Sequence, residues 1–312
     1  MNVSVIVINW NTRELLAACL RSIYETAGDL AHEIIVADNA SSDGSVEMIR
    51  RDFPAVRLIV NRENRGFVRA NNQALSIARG RYFLLLNSDA VLLPGSLQRM
   101  VQFMETHPRA GIVGPQILNP DGSFQSSYMD FPSLFSELLL MTKLSKLFRG
   151  PYFPSYPPHR SQETRAVDWM QGACLLIRRE TVAEIGDLDE DFFMYSEEVD
   201  WCWRARQAGW TVYYLPAATV LHWGGQSSSR APIKRRVMVY ESKRRFLEKH
   251  HGPRVARLFD GALLVTSICK WGLWKLLLLL PRRDRSWIGD NIRSYHILIR
   301  DLIAPRREQE TV

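Results

Sequence analysis

The fold is decided near the start of the chain by the stretch VSVIVINWNTRELLAACLRSIYETAGDLAHEIIVADNASSDGS, residues 3–45. Residues 3–8 have the β-branched, apolar character of a buried strand, and residues 14–26 carry apolar side chains at helical spacing. A second apolar run covers residues 33–37 and ends in a loop rich in Asp, Asn and Ser. The order strand, helix, strand predicts a βαβ unit on a parallel sheet.

The same alternation continues to about residue 90. The pattern predicts a third strand over residues 56–60 and a helix over about 67–79, with Gly80 as its C-terminal cap. A fourth strand is predicted over residues 82–86, and it runs directly into the residues NSDA.

Three loops therefore begin at the carboxyl ends of predicted parallel strands, at Asn9, Asp38 and Asn87. In open α/β sheets this edge binds ligands. The first loop, NWNT, contains no glycine. Dinucleotide-binding proteins need GxGxxG at this place and P-loop nucleoside triphosphatases need GxxxxGKS, so the sequence argues against both classes.

The rest of the chain is less regular. The pattern predicts a helix at 94–106, a short strand at 111–114, a turn at 119–123, a surface loop at 150–158, strands at 167–170, 173–177 and 212–214, and a helix beginning near Glu197. With 312 residues, 46% of them hydrophobic, the chain can bury a large core. We predict one α/β domain over 1–229, with a nucleotide-binding half (1–90) and a metal and acceptor half (91–229), followed by a helical tail over 230–312.

Charge is distributed unevenly between these parts. Residues 230–312 contain 19 Lys and Arg against 8 Asp and Glu, whereas residues 1–229 contain 21 basic and 25 acidic residues. A basic tail on a slightly acidic body indicates an anionic partner, either nucleic acid or a membrane surface. The four scattered cysteines form no CxxC pair, and we interpret all of them as reduced core thiols.

The tail contains the apolar stretch ALLVTSICKWGLWKLLLLL, residues 262–280, which Lys270 and Lys275 interrupt. Because basic residues are interleaved with apolar ones, nucleic acid is disfavoured and an interfacial or re-entrant membrane helix is predicted. The alternative is a helix buried against the catalytic domain or in a homo-oligomer. The N-terminus lacks the features of a signal peptide, so we expect a cytoplasmic protein lying peripherally on the inner face of the membrane.

Seven motifs in order, from residue 4 to residue 225, carry a family resemblance: SVIVINWN, IIVADNASSDGS, NRENRGFVRANN, LLLNSDA, MQGACLLIRR, FFMYSEEVDWCWR and VLHWGG. Together they resemble the family 2 glycosyltransferases, and among them the bacterial rhamnosyltransferase-like members. The resemblance implies a GT-A fold, a Rossmann-like nucleotide-binding half with a mostly parallel central sheet. It also implies an inverting transfer of a sugar, such as rhamnose, from a dTDP- or UDP-sugar to a lipid-linked or polysaccharide acceptor.

Such a transfer needs residues that bind the nucleotide of the donor. Asp38 can accept a hydrogen bond from a pyrimidine ring N–H, and the resemblance gives this role to the first residue of the pair Asp38-Asn39; the alternative is that the pair only caps its loop. Asn11 and the main chain at Ile8 would line the same pocket. Gly66 and Arg69 lie at a helix start, which favours phosphate, although Arg69 can equally be a solvated surface residue. These are the residues expected to bind the donor, together with Asn87 and Ser88.

The leaving diphosphate carries its charge on oxygen atoms, so a hard cation, Mn²⁺ or Mg²⁺, is expected. The resemblance places the family's DxD motif on Asn87-Ser88-Asp89, with Asp89 as the direct ligand; taken alone, NSD after a strand can be an ordinary turn. It also implies that His222 completes the metal site, whereas a lone histidine is more often structural.

The acceptor hydroxyl must lose a proton, and the resemblance assigns this task to Glu198 in the segment EEVD, residues 197–200. Glu197 and Asp200 are further catalytic candidates, and Asp200 and Trp201 are expected to orient the acceptor or hold the helix. The alternative is a solvated acidic helix cap. Free N–H groups at the helix start lower the pKa of a carboxyl group and apolar neighbours raise it, so the direction stays open. Trp169, Gln171 and Gly172 are expected near the sugars.

Two other classes are consistent with parts of the sequence. A nucleotidyltransferase shares the early sheet pattern but needs a Gly-rich, Arg-containing loop after the first strand, which NWNTRE does not provide. A non-catalytic membrane-binding or nucleic-acid-binding protein would use the basic tail alone.

Overall fold

The computed structural model describes residues 2–148, 150, 153–156, 162–224, 232–279 and 285–304. The predicted loop at 150–158 therefore lies partly outside the described residues. Gly225 and the arginines at 282 and 283 lie outside them entirely. The first elements are β1 (Val3–Asn9), α1 (Arg13–Thr26), β2 (His32–Asp38), α2 (Ser45–Asp52), β3 (Arg57–Val60), α3 (Gly66–Ile77) and β4 (Tyr82–Asn87). They confirm the strands and helices predicted for this half.

The remaining elements complete the chain. They are β5 (Ala90–Leu92), α4 (Ser96–Thr106), β6 (Ala110–Leu118), β7 (Phe124–Gln125), β8 (Tyr128–Met129), α5 (Leu134–Thr142), α6 (Ser145–Phe148), β9 (Arg165–Val167), β10 (Trp169–Met170), β11 (Cys174–Arg178), α7 (Arg179–Ile185), α8 (Glu197–Gln207), β12 (Thr211–His222), α9 (Pro232–His251), α10 (Pro253–Leu277) and α11 (Arg285–Ile303).

In the described chain, ten strands form one mixed sheet with the main order β3-β2-β1-β4-β11-β6-β12-β5. The first four of these are parallel, and β11 joins β4 in the antiparallel sense. β12 pairs with β6 in parallel and with β5 in the antiparallel sense. The sheet thus brings the carboxyl ends of β1, β2 and β4 to one edge, where the loops at Asn9, Asp38 and Asn87 begin.

Two strands are longer than the pattern predicted. β6 has nine residues, and β12 has twelve, reaching His222. The sequence predicted only residues 212–214 of β12. Pro216 follows this segment, and proline cannot donate to a strand ladder. The structure accommodates it at an irregularity between Leu215 and Thr219, where the pairing with β6 shifts register.

Gly80 does not cap α3, contrary to the prediction. The helix ends at Ile77, and Ala78 is its C-cap. A Cβ on Gly80 would collide with the backbone nitrogen of Ser4 and lie 2.7 Å from the carbonyl oxygen of Tyr82. The amide of Gly80 donates to Ser4 Oγ at 2.8 Å. Glycine is needed here because two backbone segments approach closely.

The core lies between the sheet and helices α1, α2 and α4, with Val5, Leu20, Leu84 and Met100 fully or almost fully buried. All four cysteines are free; Cys19, Cys174 and Cys202 are buried as predicted, and burial raises the pKa of each thiol. Cys269 is exposed, so it is not a core thiol. It lies on the outward face of α10, where the apolar composition had indicated burial.

The chain divides into two compact units: one comprises Met1–Phe131 and Tyr152–Arg230, the other Pro132–Pro151 and Ala231–Val312. The segment with α5 and α6, which the predicted boundary at residue 229 placed in the catalytic part, thus groups with the tail. Within the second unit, Lys243 of α9 pairs with the buried Glu137 of α5 at 2.8 Å. None of the described helices combines the length and hydropathy that a membrane crossing requires.

Candidate active site

The first two loops of the sheet edge are joined at their starting residues. Asn9 and Asp38 are partners in the β1–β2 register, and Asn9 Nδ2 donates to Asp38 Oδ2 at 2.7 Å. Asp38 Oδ1 accepts the backbone N–H of Ser41 at 2.9 Å. Asp38 is completely buried, so its carboxylate holds the loop together, as the capping alternative predicted. Each carboxylate oxygen still has a second lone pair, and the predicted contact to a nucleotide base stays a prediction.

Asn39 is also bound within the protein. Its Nδ2 donates to the Gly66 carbonyl oxygen at 3.0 Å, and its Oδ1 accepts from Asn61 Nδ2 at 3.0 Å. Asn39 thereby ties the loop after β2 to the start of α3. Asn39 is 2% exposed, and its predicted role in binding the donor stays a prediction.

Asn11 adopts a left-handed backbone conformation with φ 55°, which asparagine tolerates better than most other non-glycine residues do. Its N–H donates to Ser41 Oγ at 2.9 Å, and its Oδ1 accepts the N–H of Ser42 at 2.8 Å. Ile8 is partly buried, with Asn87 and Ala37 as its register neighbours. Asn11 and Ile8 therefore lie at the predicted sheet edge.

The start of α3 is covered by the loop before α8. Gly66 has φ 80°, and a Cβ there would meet the ring of Phe193 at 2.8 Å. Arg69 pairs with Glu190 at 3.4 Å and keeps 38% of its side chain exposed. An exposed pair of this kind contributes little to stability, and the predicted contact of Arg69 to phosphate stays a prediction.

The NSD segment follows β4 at the same edge. Ser88 Oγ is 2.8 Å from Thr12 Oγ1, which in turn donates to Asn9 Oδ1 at 2.7 Å. This chain of hydroxyl and amide groups connects the first and fourth strands. Ser88 is thus fixed within the loop, while Asn87 and Asp89 point toward β12.

Asp89, Asn87 and His222 converge on one point. His222 Nε2 lies 3.3 Å from Asp89 Oδ1 and 3.3 Å from Asn87 Nδ2. His222 Nδ1 lies 2.7 Å from Gln125 Oε1, a carbonyl oxygen that can only accept. Nδ1 therefore carries a proton that it donates to Gln125, and Nε2 faces Asp89 and Asn87.

Gln125 is a site residue that the sequence did not reveal. Its amide orientation is fixed because Nε2 donates to Asn119 Oδ1 at 2.8 Å and to the His222 carbonyl oxygen at 3.1 Å. Metal-binding histidines are generally oriented in this way through the ring nitrogen that does not bind the metal. The only signal available was the position of Gln125 just after the NPDGS turn, and that does not identify a partner.

These residues are suited to bind a divalent cation whose remaining ligands come from the substrate. No cluster of three or more His, Cys, Asp or Glu side chains suited to a metal occurs among the residues described. Asp89 supplies one carboxylate, His222 one neutral imidazole, and Asn87 can turn its amide oxygen inward. A cation bound by one or two protein carboxylates or imidazoles takes its other ligands from phosphate oxygens and water.

Glu198 lies in the first turn of α8, next to Gly172. Its carboxylate accepts the backbone N–H groups of Gly172, Val199 and Glu198 itself, which lower its pKa. Burial nevertheless raises the pKa of Glu198, and this larger effect answers the question that the sequence left open. Its Oε2 is buried without a hydrogen-bond partner. A carboxylate of this kind is suited to accept a proton.

Glu197 is 6% exposed, and its Oε2 is likewise buried and unpaired. Burial and the charge of Glu198 raise the pKa of Glu197 well above its usual range. Tyr195 and Ser196, directly before it, have φ values of 72° and 64°. Two successive non-glycine residues in this region store backbone strain, as often found at functional sites.

One dipeptide joins the helix of Glu198 to the NSD loop. Gly172 N–H bonds to the Glu198 carboxylate, and the carbonyl oxygen of Ala173 accepts the N–H of Asn87 at 3.0 Å. A Cβ on Gly172 would lie 3.5 Å from Cβ and Cγ of Glu198, which shows how closely the segment approaches the base. Two adjacent residues thus contact both Glu198 and the first residue of the NSD loop.

Trp169 and Gln171 lie just before this dipeptide in the chain. Trp169 Nε1 donates to the Asp130 carbonyl oxygen at 2.9 Å, and Gln171 N–H donates to the Ser127 carbonyl oxygen at 2.8 Å. Both side chains are partly buried. Their location beside Gly172 is compatible with the predicted acceptor role, which stays a prediction.

Asp200 and Trp201 hold α8 in place. Asp200 is completely buried, and its Oδ2 accepts Arg204 Nε at 2.7 Å. Trp201 is also completely buried, and its Nε1 donates to the Gly186 carbonyl oxygen at 2.9 Å. Both side chains thus hold the helix, which is one of the two roles expected for them, and the catalytic role of Asp200 and the acceptor role of Trp201 stay predictions.

Comparison with solved structures supports the predicted fold. The mannosyltransferase PcManGT from Pyrobaculum calidifontis, in complex with GDP-Man and Mn²⁺, matches 96% of this chain and 86% of its own with a TM-score of 0.55 at 17% identity. GalNAc-T7 with UDP, GalNAc and Mn²⁺ matches 97% of this chain and 56% of its own with a TM-score of 0.58 at 15% identity. The fold is GT-A-like, as the sequence resemblance implied.

Sequence comparisons identify the family. The N-acetylglucosaminyl-diphospho-decaprenol L-rhamnosyltransferase of Mycobacterium tuberculosis strain H37Rv is 32% identical over 230 residues, covering 70% of this chain and 75% of the relative. The rhamnosyltransferase WbbL of Escherichia coli strain K12 is 22% identical over 271 residues, covering 82% and 99%. The model of glycosyl transferase family 2 matches residues 4–202, which include the Asp38 loop, the NSD segment and the EEVD helix. The chain therefore belongs to glycosyl transferase family 2 and is a rhamnosyltransferase-like glycosyltransferase.

Proposed function

We propose that this protein is an inverting, metal-dependent glycosyltransferase that moves rhamnose, or a similar hexose, from a dTDP- or UDP-sugar to a hydroxyl group of a lipid-linked acceptor. The observation that carries the proposal is the dipeptide Gly172-Ala173. The N–H of Gly172 bonds to the Glu198 carboxylate, whose Oε2 has no partner, and the carbonyl oxygen of Ala173 accepts from Asn87 of the NSD loop. One short segment thereby contacts both the proposed proton acceptor and the loop of the proposed cation ligands.

Asp89 and His222 would hold Mn²⁺ or Mg²⁺ in this enzyme. The cation supplies neutralisation of the charge that develops on the leaving diphosphate. Gln125 keeps the Nδ1 proton of His222 in place, so that Nε2 stays available as a ligand. The mixture of one carboxylate and one imidazole favours Mn²⁺ over Mg²⁺. Both structural relatives described above were solved with Mn²⁺, which supports this assignment.

Glu198 would act as the general base. Its carboxylate takes the proton of the acceptor hydroxyl while the hydroxyl oxygen attacks the anomeric carbon and the bond to the diphosphate breaks. Direct displacement by an oxygen on the far side from the leaving group inverts the configuration at that carbon. Since burial raises the pKa of Glu198, the transfer rate is expected to increase with pH until this carboxyl group is ionised.

The donor and acceptor classes are supported by the relatives. The mycobacterial relative is named for L-rhamnose transfer to N-acetylglucosaminyl-diphospho-decaprenol, and the relative from Escherichia coli is also a rhamnosyltransferase. Asp38, Asn11 and the main chain of Ile8 would bind the nucleotide, and Arg69 its phosphates. Trp169 and Gln171 would lie near the sugars.

We place the enzyme peripherally on the cytoplasmic face of the membrane, where a lipid-linked acceptor is accessible. The support comes from α10, whose exposed large apolar residues mostly recur at steps of three or seven positions and so lie on one side of the helix. They are Leu258, Val265, Ile268, Leu273, Leu276 and, just beyond its end, Leu279. On the opposite face of the helix, Phe259 and Leu263 are buried. A helix that presents an apolar face outward and is flanked by basic residues is suited to lie in the interface of a bilayer.

The experiment measures Mn²⁺-dependent hydrolysis and transfer with labelled dTDP- and UDP-sugars. Asp89→Ala and Glu198→Gln are each expected to abolish transfer while circular dichroism and thermal unfolding stay near those of the wild type. Glu180→Gln, an exposed carboxylate on α7, is the matched control and should retain full activity. Near-normal turnover in both site variants would refute the proposed mechanism. Pyrophosphate release from a nucleoside triphosphate would instead indicate a nucleotidyltransferase.

A further inference from the structure

The second unit contains a cleft between α10 and α11 that the proposed catalytic site does not use. It has a volume of about 440 Å³ and is lined by Trp271, Lys275, Ile292, Arg293, His296 and Ile297. This volume lies in the range of small-molecule and lipid sites. The lining comes from two helices that also contact each other through Trp274 and Trp287, whose ring centroids are 4.8 Å apart at 88°.

The cleft has an apolar floor and a basic rim. Trp271, Ile292 and Ile297 are partly buried and form the floor, whereas Lys275, Arg293 and His296 are exposed. Lys275 Nζ lies 3.8 Å from the centroid of the Trp271 ring. The ammonium group is thus held above the apolar surface by a cation–π contact and does not extend freely into water.

The rim cations are available to a ligand. Arg293 pairs only weakly with Asp290: their distance is 2.8 Å, but 70% and 59% of the two side chains are exposed. The described part of the chain places no carboxylate in the lining of the cleft. Two permanent cations and an imidazole beside an apolar floor complement a ligand that has several negative charges on one end and a hydrocarbon chain on the other.

One exposed apolar residue continues the side of α10 that lines the cleft. Leu279 follows Lys275 by four positions, about one helical turn, and is 79% exposed. A hydrocarbon chain that leaves the cleft would therefore find further apolar surface along the same helix. A single-charged phospholipid would use only part of the rim, whereas a diphosphate can contact Lys275 and Arg293 together.

We propose that the cleft between α10 and α11 binds the diphosphate and the adjoining hydrocarbon of an isoprenoid diphosphate lipid. This inference rests on the proposed function, because such a lipid is the carrier class that the acceptor would have. It assigns recognition of the lipid carrier to residues outside the family 2 match, which ends at residue 202.

Calorimetric titration of the full chain with farnesyl diphosphate tests the proposal. EDTA and saturating UDP are included so that the nucleotide and metal site cannot take up the diphosphate. Binding is expected for farnesyl diphosphate, and much weaker binding for farnesol and for inorganic pyrophosphate, because each lacks one half of the ligand. Equal binding of pyrophosphate and farnesyl diphosphate would overturn the proposal.

Variants locate the binding. The double variant Lys275→Gln with Arg293→Gln should raise the dissociation constant for farnesyl diphosphate at least about tenfold, since each cation near an anionic group contributes separately. Arg257→Gln on α10 and Arg300→Gln on α11 are matched controls, because both are exposed arginines on the same helices but do not line the cleft. Unchanged binding in the double variant would refute the site. Ile297→Trp, which fills the floor, should weaken farnesyl diphosphate binding and leave any pyrophosphate binding unchanged.

The proposed function can fail separately. Donor hydrolysis requires only the first unit's site, so it should be unaffected by the double variant. If the protein binds farnesyl diphosphate but does not hydrolyse the sugar donor, the proposed glycosyl transfer mechanism is refuted and the proposed lipid site is not. For a lipid-linked acceptor, the double variant should raise KM and leave kcat unchanged.

Discussion

Replacing Gln125 tests whether His222 is a metal ligand, because Gln125 acts on the cation only through this histidine. Gln125→Met keeps the length of the side chain but removes the oxygen that lies 2.7 Å from His222 Nδ1. The ring then loses the group that fixes its proton on Nδ1 and its lone pair on Nε2. Loss of such an orienting partner weakens metal binding about 10- to 100-fold.

The same substitution has a calculable effect on stability. Gln125 takes part in three hydrogen bonds, at 2.7, 2.8 and 3.1 Å, with His222 Nδ1, Asn119 Oδ1 and the His222 carbonyl oxygen. At about 1 kcal/mol each, their loss lowers the free energy of unfolding by roughly 2–3 kcal/mol. The variant should therefore remain folded at room temperature if the wild type has ordinary stability.

The assay is Mn²⁺ titration of donor hydrolysis, with the half-saturating Mn²⁺ concentration as the measured quantity. Gln102→Met on the exposed surface of α4 is the matched control and should leave this concentration unchanged. At saturating Mn²⁺, Gln125→Met should regain most of the wild-type rate. A wild-type Mn²⁺ dependence in the folded variant would show that His222 does not bind the cation.

Three further predictions concern the site and the fold. His222→Ala removes the imidazole ligand itself, so its half-saturating Mn²⁺ concentration should rise more than that of Gln125→Met; an unchanged titration would contradict the assembled site. Glu197→Gln should be more stable than the wild type at neutral pH. The raised pKa of Glu197 means that the folded state holds this proton more tightly than the unfolded state does. The free energy of unfolding of the wild type therefore declines as the pH increases from about 4.3 through the raised pKa. Thermal unfolding of both proteins across that interval measures this, and parallel curves would argue against a charged, buried Glu197. Gly80→Ala should lower the free energy of unfolding by about 3 kcal/mol because its Cβ meets backbone atoms, whereas Gly261→Ala, in open space on α10, should raise it slightly. Equal stability of these two variants in urea titrations would contradict the close approach of Gly80 to Ser4.

Much of the first half was predictable because its signals are local. Alternating strands and helices fix a parallel arrangement, and the residues that follow β1, β2 and β4 must then meet at one edge. Asn9 and Asp38 are indeed register partners. The motif order was equally informative, since the residues it implied for the metal, Asp89 and His222, lie 3.3 Å apart although they are far apart in sequence.

What sequence reasoning missed depends on contacts between distant segments. Gln125 has no local feature that marks it as the partner of His222. Gly80 follows a helix and resembles a cap, but its role is set by Ser4 in the first strand. Burial of a group such as Glu198, and hence its pKa, likewise follows from packing and cannot be read from neighbouring residues.

The dipeptide Gly172-Ala173 would couple the effects that a substitution in this segment has on cation binding and on proton transfer. Departure of the diphosphate and deprotonation of the acceptor are separate chemical events, yet the groups that would serve them are anchored to two adjacent residues of one strand end. A displacement of this segment by even a fraction of an ångström shifts both anchors in the same direction. Sensitivity to cation concentration and sensitivity to pH should therefore vary together among variants at these two positions, and neither property should evolve independently of the other.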